Sequence, residues 1–474
     1  MNILALEVST SSAKTAIYST KKGIVASNNK SFESDIALQD PENIYNTVIE
    51  CAYRMINVNK YKIDIVGLSS TWHSFLLLDK NRKPISKIRT WADTTSSTTV
   101  RKIREKNDIN KWTYKKTGCP VHSIYPLWKW KSMIEESKID PNDNIYISSK
   151  PEYIFERLTG EVGVSKSVAS GTGLMNIHNL NWDPDILEYA NIKKEQLSPL
   201  KKFDYTSTLK KSEAKKLGIK HGVPVVITGP DGALNQIGSG ALKNKIMTLS
   251  VGTSGALRMI ADKPLIPEEP STWCYYVGDG KRLAGAATSG AGNCIEWFRD
   301  NIDKNNLSLN KLSKKAKNIN KLKAPIFLPF LYGERCPGWL DERKGGFFNL
   351  DGKHGIGHLY YSILEGILFN LYQSYEILVS VDEEPNEIKI SGGIINSDYW
   401  LKMAANIFKR DITISKVKDA SIMGAIAICL KITGEIDSIE QFKPDDGIII
   451  HSDKKAEKKY KKRFIEYMKW YDKT

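Results

Sequence analysis

The sequence predicts an α/β protein of two similar domains, each a sheet flanked by helices, facing each other across a cleft. At 474 residues the chain exceeds one ordinary core and asks for two domains of roughly 200 residues each. A strand-turn-strand signature occurs twice. Leu6-Glu7-Val8-Ser9-Thr10-Ser11-Ser12-Ala13 and Leu249-Ser250-Val251-Gly252-Thr253-Ser254-Gly255-Ala256 agree at five of eight positions, 243 residues apart. Elsewhere, apolar runs that end in small residues (63–70, 223–229 and 388–393) read as buried strands. Residues 357–378, with Leu359, Ile363, Ile367 and Leu371, carry helical spacing.

Each copy of the repeat is a β-like run entering a turn of small hydroxyl and glycine residues, with a second apolar run leaving it. Such a turn lets backbone N–H groups approach phosphate oxygens while Ser and Thr hydroxyls add donors. Lys14, just past the first turn, adds positive charge. One copy alone is more often an ordinary hairpin; two, half a chain apart, suggest one phosphate clamp per domain. The expected seam lies near residues 238–245, dividing the chain into 1–242 and 243–474.

Composition excludes several classes. Apolar residues make up 41% and charged residues 26%, the profile of a globular protein. No apolar run approaches the ~20 residues of a membrane span, and the N-terminus lacks a basic segment, so a cytoplasmic protein is expected. Six cysteines without a C-x-x-C point to free thiols. His354 and His358 have metal-ligand spacing, but the glycines at 355 and 357 argue against a rigid metal-binding face. The net charge of +15 invites a nucleic-acid reading, yet the lysines are scattered. The densest run, from Lys454 to Arg463, shares helical spacing with Tyr460, Phe464, Tyr467, Met468 and Tyr471. It reads as an amphipathic terminal helix with a solvated basic face. Neither a nucleic-acid nor a membrane partner is expected.

Few residues suggest chemistry unaided. Asp231, in Gly229-Pro230-Asp231-Gly232 after an apolar strand, suits a general base for a hydroxyl; Pro-Asp-Gly is equally a plain turn signal. Trp72-His73-Ser74 and Trp91-Ala92-Asp93 set indoles beside polar groups, as sites for sugars and polyols do. A P-loop and a Rossmann fingerprint are both missing.

Together, in this order and spacing, these segments resemble the FGGY carbohydrate kinases, whose fold is that of actin and the Hsp70 ATPase (ribonuclease H-like, mixed sheets flanked by helices around a central cleft). Gly333-Glu334-Arg335-Cys336-Pro337, Ser391-Gly392-Gly393 and Ala169-Ser170-Gly171-Thr172-Gly173 resemble further family blocks. The resemblance implies ATP- and Mg²⁺-dependent phosphorylation of a small sugar or sugar acid. Asp231 would be the catalytic base, and Glu7 with Asp231 would hold the metal. Thr10, Ser11, Ser12, Lys14, Gly252 and Thr253 would hold phosphates, and Gly292, Gly392, Gly393 and Ser397 the adenosine side. Trp72, His73, Trp91, Asp93 and Asp231 would contact the substrate. Family members are often homodimers, though no seam for one can be read here.

Within the family the Trp-His-Ser and Trp-Ala-Asp runs look most like gluconate kinases; xylulose kinases more usually show Met-His-Gly and Trp-Asn-Asp. The alternatives are a xylulose or other polyol kinase and a non-catalytic nucleotide-binding sensor. The sensor is motivated by departures from the pattern: Glu7 for Asp and Ser9 for Gly. Further departures are Thr94-Thr95-Ser96 where an Arg is usual, Ser165 for Asp and Asn349 for Gly. These bear on rate and substrate choice more than on fold.

Overall fold

A computed structural model describes residues 1–474 except 60, 244, 445 and 446, so one residue of the expected seam, 244, lies outside the described residues. Two seven-stranded sheets dominate. The first contains β1 (Asn2–Val8), β2 (Ser12–Ser19), β3 (Gly23–Ser31), β4 (Ile65–Ser70), β5 (Thr206–Thr208), β6 (Pro224–Val226) and β7 (Gly229–Pro230). The second contains β8 (Ile246–Val251), β9 (Gly255–Ala261), β10 (Trp273–Gly278), β11 (Lys281–Thr288), β12 (Glu387–Ser391), β13 (Ile412–Ile414) and β14 (Ile449–Ile450).

The pairing directions repeat. In the first sheet β3, β2 and β1 are antiparallel neighbours, β1, β4 and β6 are parallel, and β5 returns antiparallel to β6. In the second, β11, β9 and β8 are antiparallel, β8, β12 and β13 parallel, and β14 antiparallel. The duplicated sequence is thus a duplicated layout. Along β1, Ile3 and Ala5 face one hydrophobic cluster while Leu4, Leu6 and Val8 face another. A strand buried on both faces needs a continuous apolar run, which is how this one reads.

The helices that matter for the site are α1 (Pro41–Asn59), α2 (Lys150–Thr159), α3 (Asp231–Gly238), α4 (Gly292–Asn301), α5 (Ile356–Val379), α6 (Ala420–Ile432) and α7 (Lys454–Tyr471). The two halves join where α3 crosses α6. A Cβ on Gly238 would stand 1.8 Å from the Ala420 carbonyl oxygen, and one on Gly424 2.0 Å from that of Leu234. Only glycine allows the two backbones to touch there, and α3 carries that contact up to Asp231 at its other end.

One open reading is decided and one expectation is corrected. Pro230-Asp231-Gly232 is not a plain turn: Asp231 opens α3, because Leu234 and Ile237 follow at helical spacing and are buried. In α7, Tyr460 and Tyr467 are buried as the spacing implies, but Arg463 does not belong to a solvated basic face. It is 2% exposed, donates to Glu365 at 2.6 Å, and its other nitrogen reaches the Ala324 carbonyl at 2.7 Å. All six cysteines are buried and unpaired. His354 donates through Nε2 to the Lys323 carbonyl at 2.7 Å, and His358 Nδ1 accepts from the Gly355 amide at 3.3 Å, so both act locally on the backbone. No helix among the described residues is long and apolar enough to cross a membrane.

Candidate active site

The first turn joins β1 to β2, with Val8 paired to Ala13. Ser9 tightens it: its amide donates to the Ser12 carbonyl at 3.0 Å, and its hydroxyl accepts from the Ser12 amide at 3.1 Å. A serine in place of the usual glycine therefore turns its side chain into the loop. Trp91 Nε1 donates to Thr10 Oγ1 at 3.0 Å, tying the loop to the Trp91-Ala92-Asp93 segment. From below, Lys150 Nζ at the start of α2 donates to the Ser9 carbonyl at 2.9 Å and to Gln39 Oε1 at 3.2 Å. Burial lowers the Lys150 ammonium to about 7, against the pull of Asp231 and Glu7.

The second turn, between β8 and β9, is one residue shorter, with Val251 paired to Gly255. Gly252 and Thr253 accept through their carbonyls from the amides of Gly292 (2.8 Å) and Asn293 (3.1 Å) at the start of α4. Gly392 sits against it with φ +91°, where a Cβ would meet the Val251 carbonyl oxygen at 2.5 Å. Gly252, Thr253, Gly292, Gly393 and Ser397 all line one pocket of about 430 Å³. Ser397 also caps the helix Asp398–Phe408, accepting from the Trp400 amide.

A second cavity, of about 280 Å³, is lined from the first half by Thr10, Trp72, His73, Trp91 and Asp231. The second half supplies Arg258, Trp273, Tyr275 and Arg335. Trp72 donates through Nε1 to the Ser167 carbonyl at 3.0 Å and packs on Tyr275, centroids 4.9 Å apart. His73 has φ 58°, a backbone region rare for a side chain other than glycine. Its Nδ1 faces the Gly171 carbonyl at 2.8 Å, which makes Nδ1–H the donor and leaves Nε2 to accept from Tyr275 Oη at 3.4 Å. Burial drives the His73 imidazolium down to about 3, so the ring is neutral near pH 7. Asp231 Oδ1 accepts from the Gly232 amide at 2.8 Å. Burial raises its carboxyl above the ordinary value, opposed by Arg258, that amide and Lys150.

Glu7 is buried under the first turn. Ser421 Oγ of α6 donates to its Oε1 at 2.5 Å, while Oε2 is buried without a hydrogen bond, 3.8 Å from Lys14 Nζ. Burial raises the Glu7 carboxyl, with Ser421 and Lys14 pulling it down. Lys14 itself is paired with Asp419 of the other half at 3.0 Å.

Asp93 stands behind the cavity wall instead of lining it. It is 2% exposed, held by Arg89 Nη1 at 3.1 Å and the Thr95 amide at 3.1 Å, with Lys129 Nζ on its own carbonyl at 2.6 Å. Ser11 lies exposed at the tip of the first turn, and Ser12 is buried at its exit. Other departures from the family pattern are absorbed locally. Ser165 caps a short helix, and Asn349 takes φ 58°, a conformation asparagine tolerates better than most residues. Sequence reasoning missed Lys150, Gln39 and Arg258. Each is a polar residue within or beside an apolar run, and that mismatch was the available signal.

The model of the FGGY family of carbohydrate kinases, N-terminal domain, matches residues 2–238, and the C-terminal domain model matches residues 247–431. The chain belongs to this family. It is 31% identical over 460 residues to the gluconokinase of Bacillus subtilis (strain 168), covering 92% of this chain and 89% of that one. To the xylulose kinase of the same strain it is 25% identical, covering 93% and 90%. Among solved structures it superposes on gluconate kinase from Lactobacillus acidophilus with a TM-score of 0.93 at 28% identity, over 99% of this chain and 97% of that one. Ligand-bound xylulose kinase from Lactobacillus acidophilus gives 0.94, also at 28% identity, over 99% and 98%. The FGGY kinase fold, two actin-like domains with mixed sheets flanked by helices, is thus the fold of this chain.

Proposed function

We propose that this FGGY kinase transfers the γ-phosphoryl group of ATP to a terminal hydroxyl of a sugar acid, with gluconate the substrate and 6-phosphogluconate the product. The observation that carries it is Asp231: a half-buried carboxylate opening a helix in an aromatic-walled cavity that Thr10 of the first turn and Ser254 of the second also line. Phosphoryl transfer asks for positioning and charge neutralisation more than covalent chemistry. Asp231 accepts the hydroxyl proton as that oxygen bonds to phosphorus and the bond to the ADP oxygen breaks. The turn at Ser9–Ser12 and the turn at Gly252–Ser254 hold the phosphates from opposite halves, and the pocket at Gly292, Gly393 and Ser397 takes the adenosine. Trp72 and His73 hold the sugar, and Asp93 acts on it only by bracing the segment that carries Trp91.

Glu7 Oε2, buried without a hydrogen bond and 3.8 Å from Lys14 Nζ, is the oxygen a cation would use, and Asp231 is the second carboxylate. Among the described residues no three metal-ligating side chains converge. That suits Mg²⁺, which takes one or two carboxylates and completes its shell with water and phosphate. When bound it would neutralise phosphate charge. Closure of the two halves, already bridged by Glu7–Ser421 and Lys14–Asp419, keeps water from competing with the sugar. The division at 242/243 places one phosphate turn in each proposed domain.

A second reading, a xylulose kinase, is favoured by the equal superposition on the Lactobacillus acidophilus enzyme. ADP release with ATP, Mg²⁺ and a panel of gluconate, other aldonates, xylulose and polyols decides. Gluconate-dependent turnover is expected. Preference for xylulose would replace the substrate, and no sugar-dependent turnover would leave a sensor.

A further inference from the structure

The aromatic-walled cavity holds two arginines besides the groups assigned to phosphoryl transfer. Arg258 on β9 and Arg335 both line it, and the Arg335 charge acts against that of Arg258. Arg258 Nη1 and Arg335 Nε are buried with no hydrogen-bond partner, and among the described residues neither guanidinium forms a salt bridge. The buried guanidinium of Arg463, by contrast, is held by Glu365 and two backbone carbonyls. In the cavity Asp231 is the one carboxylate, and the neutral His73 contributes nothing. Arg258 faces Asp231 and Arg335 lies over the Trp91 ring, which leaves donors that a bound anion would satisfy, and a planar fork matches a carboxylate's two oxygens.

We propose that Arg258 and Arg335 form the subsite for the substrate's carboxylate, so that they select sugar acids over neutral polyols of the same length. This rests on the cavity being the sugar site. The aromatic wall of Trp72, Trp273 and Tyr275 then carries the carbon chain, with Trp273 and Tyr275 stacked 4.5 Å apart. Asp231 receives the terminal hydroxyl.

Calorimetry on the full chain with gluconate and with glucitol, its neutral polyol counterpart, tests this without needing turnover. The wild type is expected to bind gluconate more tightly by at least about tenfold, since a hydrogen bond to a charged group is worth about one to two powers of ten in affinity. Arg258→Gln and Arg335→Gln should each cut that preference by about 10- to 100-fold, with Arg258→Lys and Arg335→Lys restoring part of it. Melting curves identify any variant that has lost its fold, and the lysine variants then carry the test. No preference in the wild type, or glutamine variants that leave the ratio unmoved while slowing phosphoryl transfer, would overturn the assignment. ADP release separates this from the choice of substrate. Turnover of a different aldonate would change the substrate and keep the subsite; gluconate turnover with an unmoved ratio would do the reverse.

Discussion

Asp231 and His73 lie in one cavity, and burial shifts them in opposite senses: the carboxyl up, the imidazolium down. Both shifts disfavour charge; the first bears on activity and the second on stability. Asp231→Asn removes the proton acceptor while keeping size and the helix start, so kcat should fall by about 10²- to 10⁴-fold. Affinity for an ATP analogue in the absence of Mg²⁺ should hold. ADP release and analogue titration measure the two, and a variant retaining most of its turnover would remove Asp231 from the role of base. For His73 the ordinary value is 6.5 and the folded one about 3. Below pH 6.5 the unfolded chain binds a proton that the folded site refuses, so stability falls as the solution is acidified. NMR of the His73 ring should show one neutral tautomer, protonated at Nδ1, from pH 8 to pH 5; a titration near 6.5 would contradict the burial argument. Residues of this kind were partly legible. Asp231 stood out by its place after a strand, whereas Arg258 is a single charge inside Ala256-Leu257-Arg258-Met259-Ile260. Nothing local says which partner a charge in an apolar strand is waiting for.

At the scale of elements, the strands and the long helix α5 could be read directly, because both obey simple periods and end in small residues. The starts of α3 and α7 show where period alone fails. Pro-Asp-Gly satisfies a turn and a helix start equally well, and only the burial of Leu234 and Ile237 decides between them. In α7 the basic run concealed Arg463, whose partner Glu365 is 98 residues away on α5. Breaking such a buried pair strands a charge and costs about 3–5 kcal/mol. Glu365→Gln should therefore lower the melting temperature sharply. Replacing both partners with apolar residues of similar volume, Arg463→Met with Glu365→Leu, should restore much of the loss. Thermal unfolding of the three proteins checks this, and an unchanged melting point for the single variant would show the pair to be dispensable.

The two main sheets share one order over six strands and differ in the seventh, β7 beside β4 in the first and β10 beside β11 in the second; the halves are locked together where α3 and α6 touch at Gly238 and Gly424. The repeat could be seen in eight residues because both tight turns use the same small hydroxyl and glycine residues between antiparallel strands. The rest of the duplication was invisible, since buried strands tolerate any well-packed apolar residue and keep no common sequence. Across the cleft, contacts pass through side chains that would also serve a nucleotide: Lys14 to Asp419, Glu7 to Ser421, Asp231 toward Arg258. The central claim is that both halves grip the phosphate tail and aim it at a hydroxyl beside Asp231. A crystal structure of the full chain with a non-hydrolysable ATP analogue, Mg²⁺ and gluconate tests it most directly. The γ-phosphate should lie between the Ser9–Ser12 and Gly252–Ser254 turns, with a terminal hydroxyl within hydrogen-bond distance of Asp231. Nucleotide bound away from the two turns, or a sugar with no hydroxyl near residue 231, would contradict it.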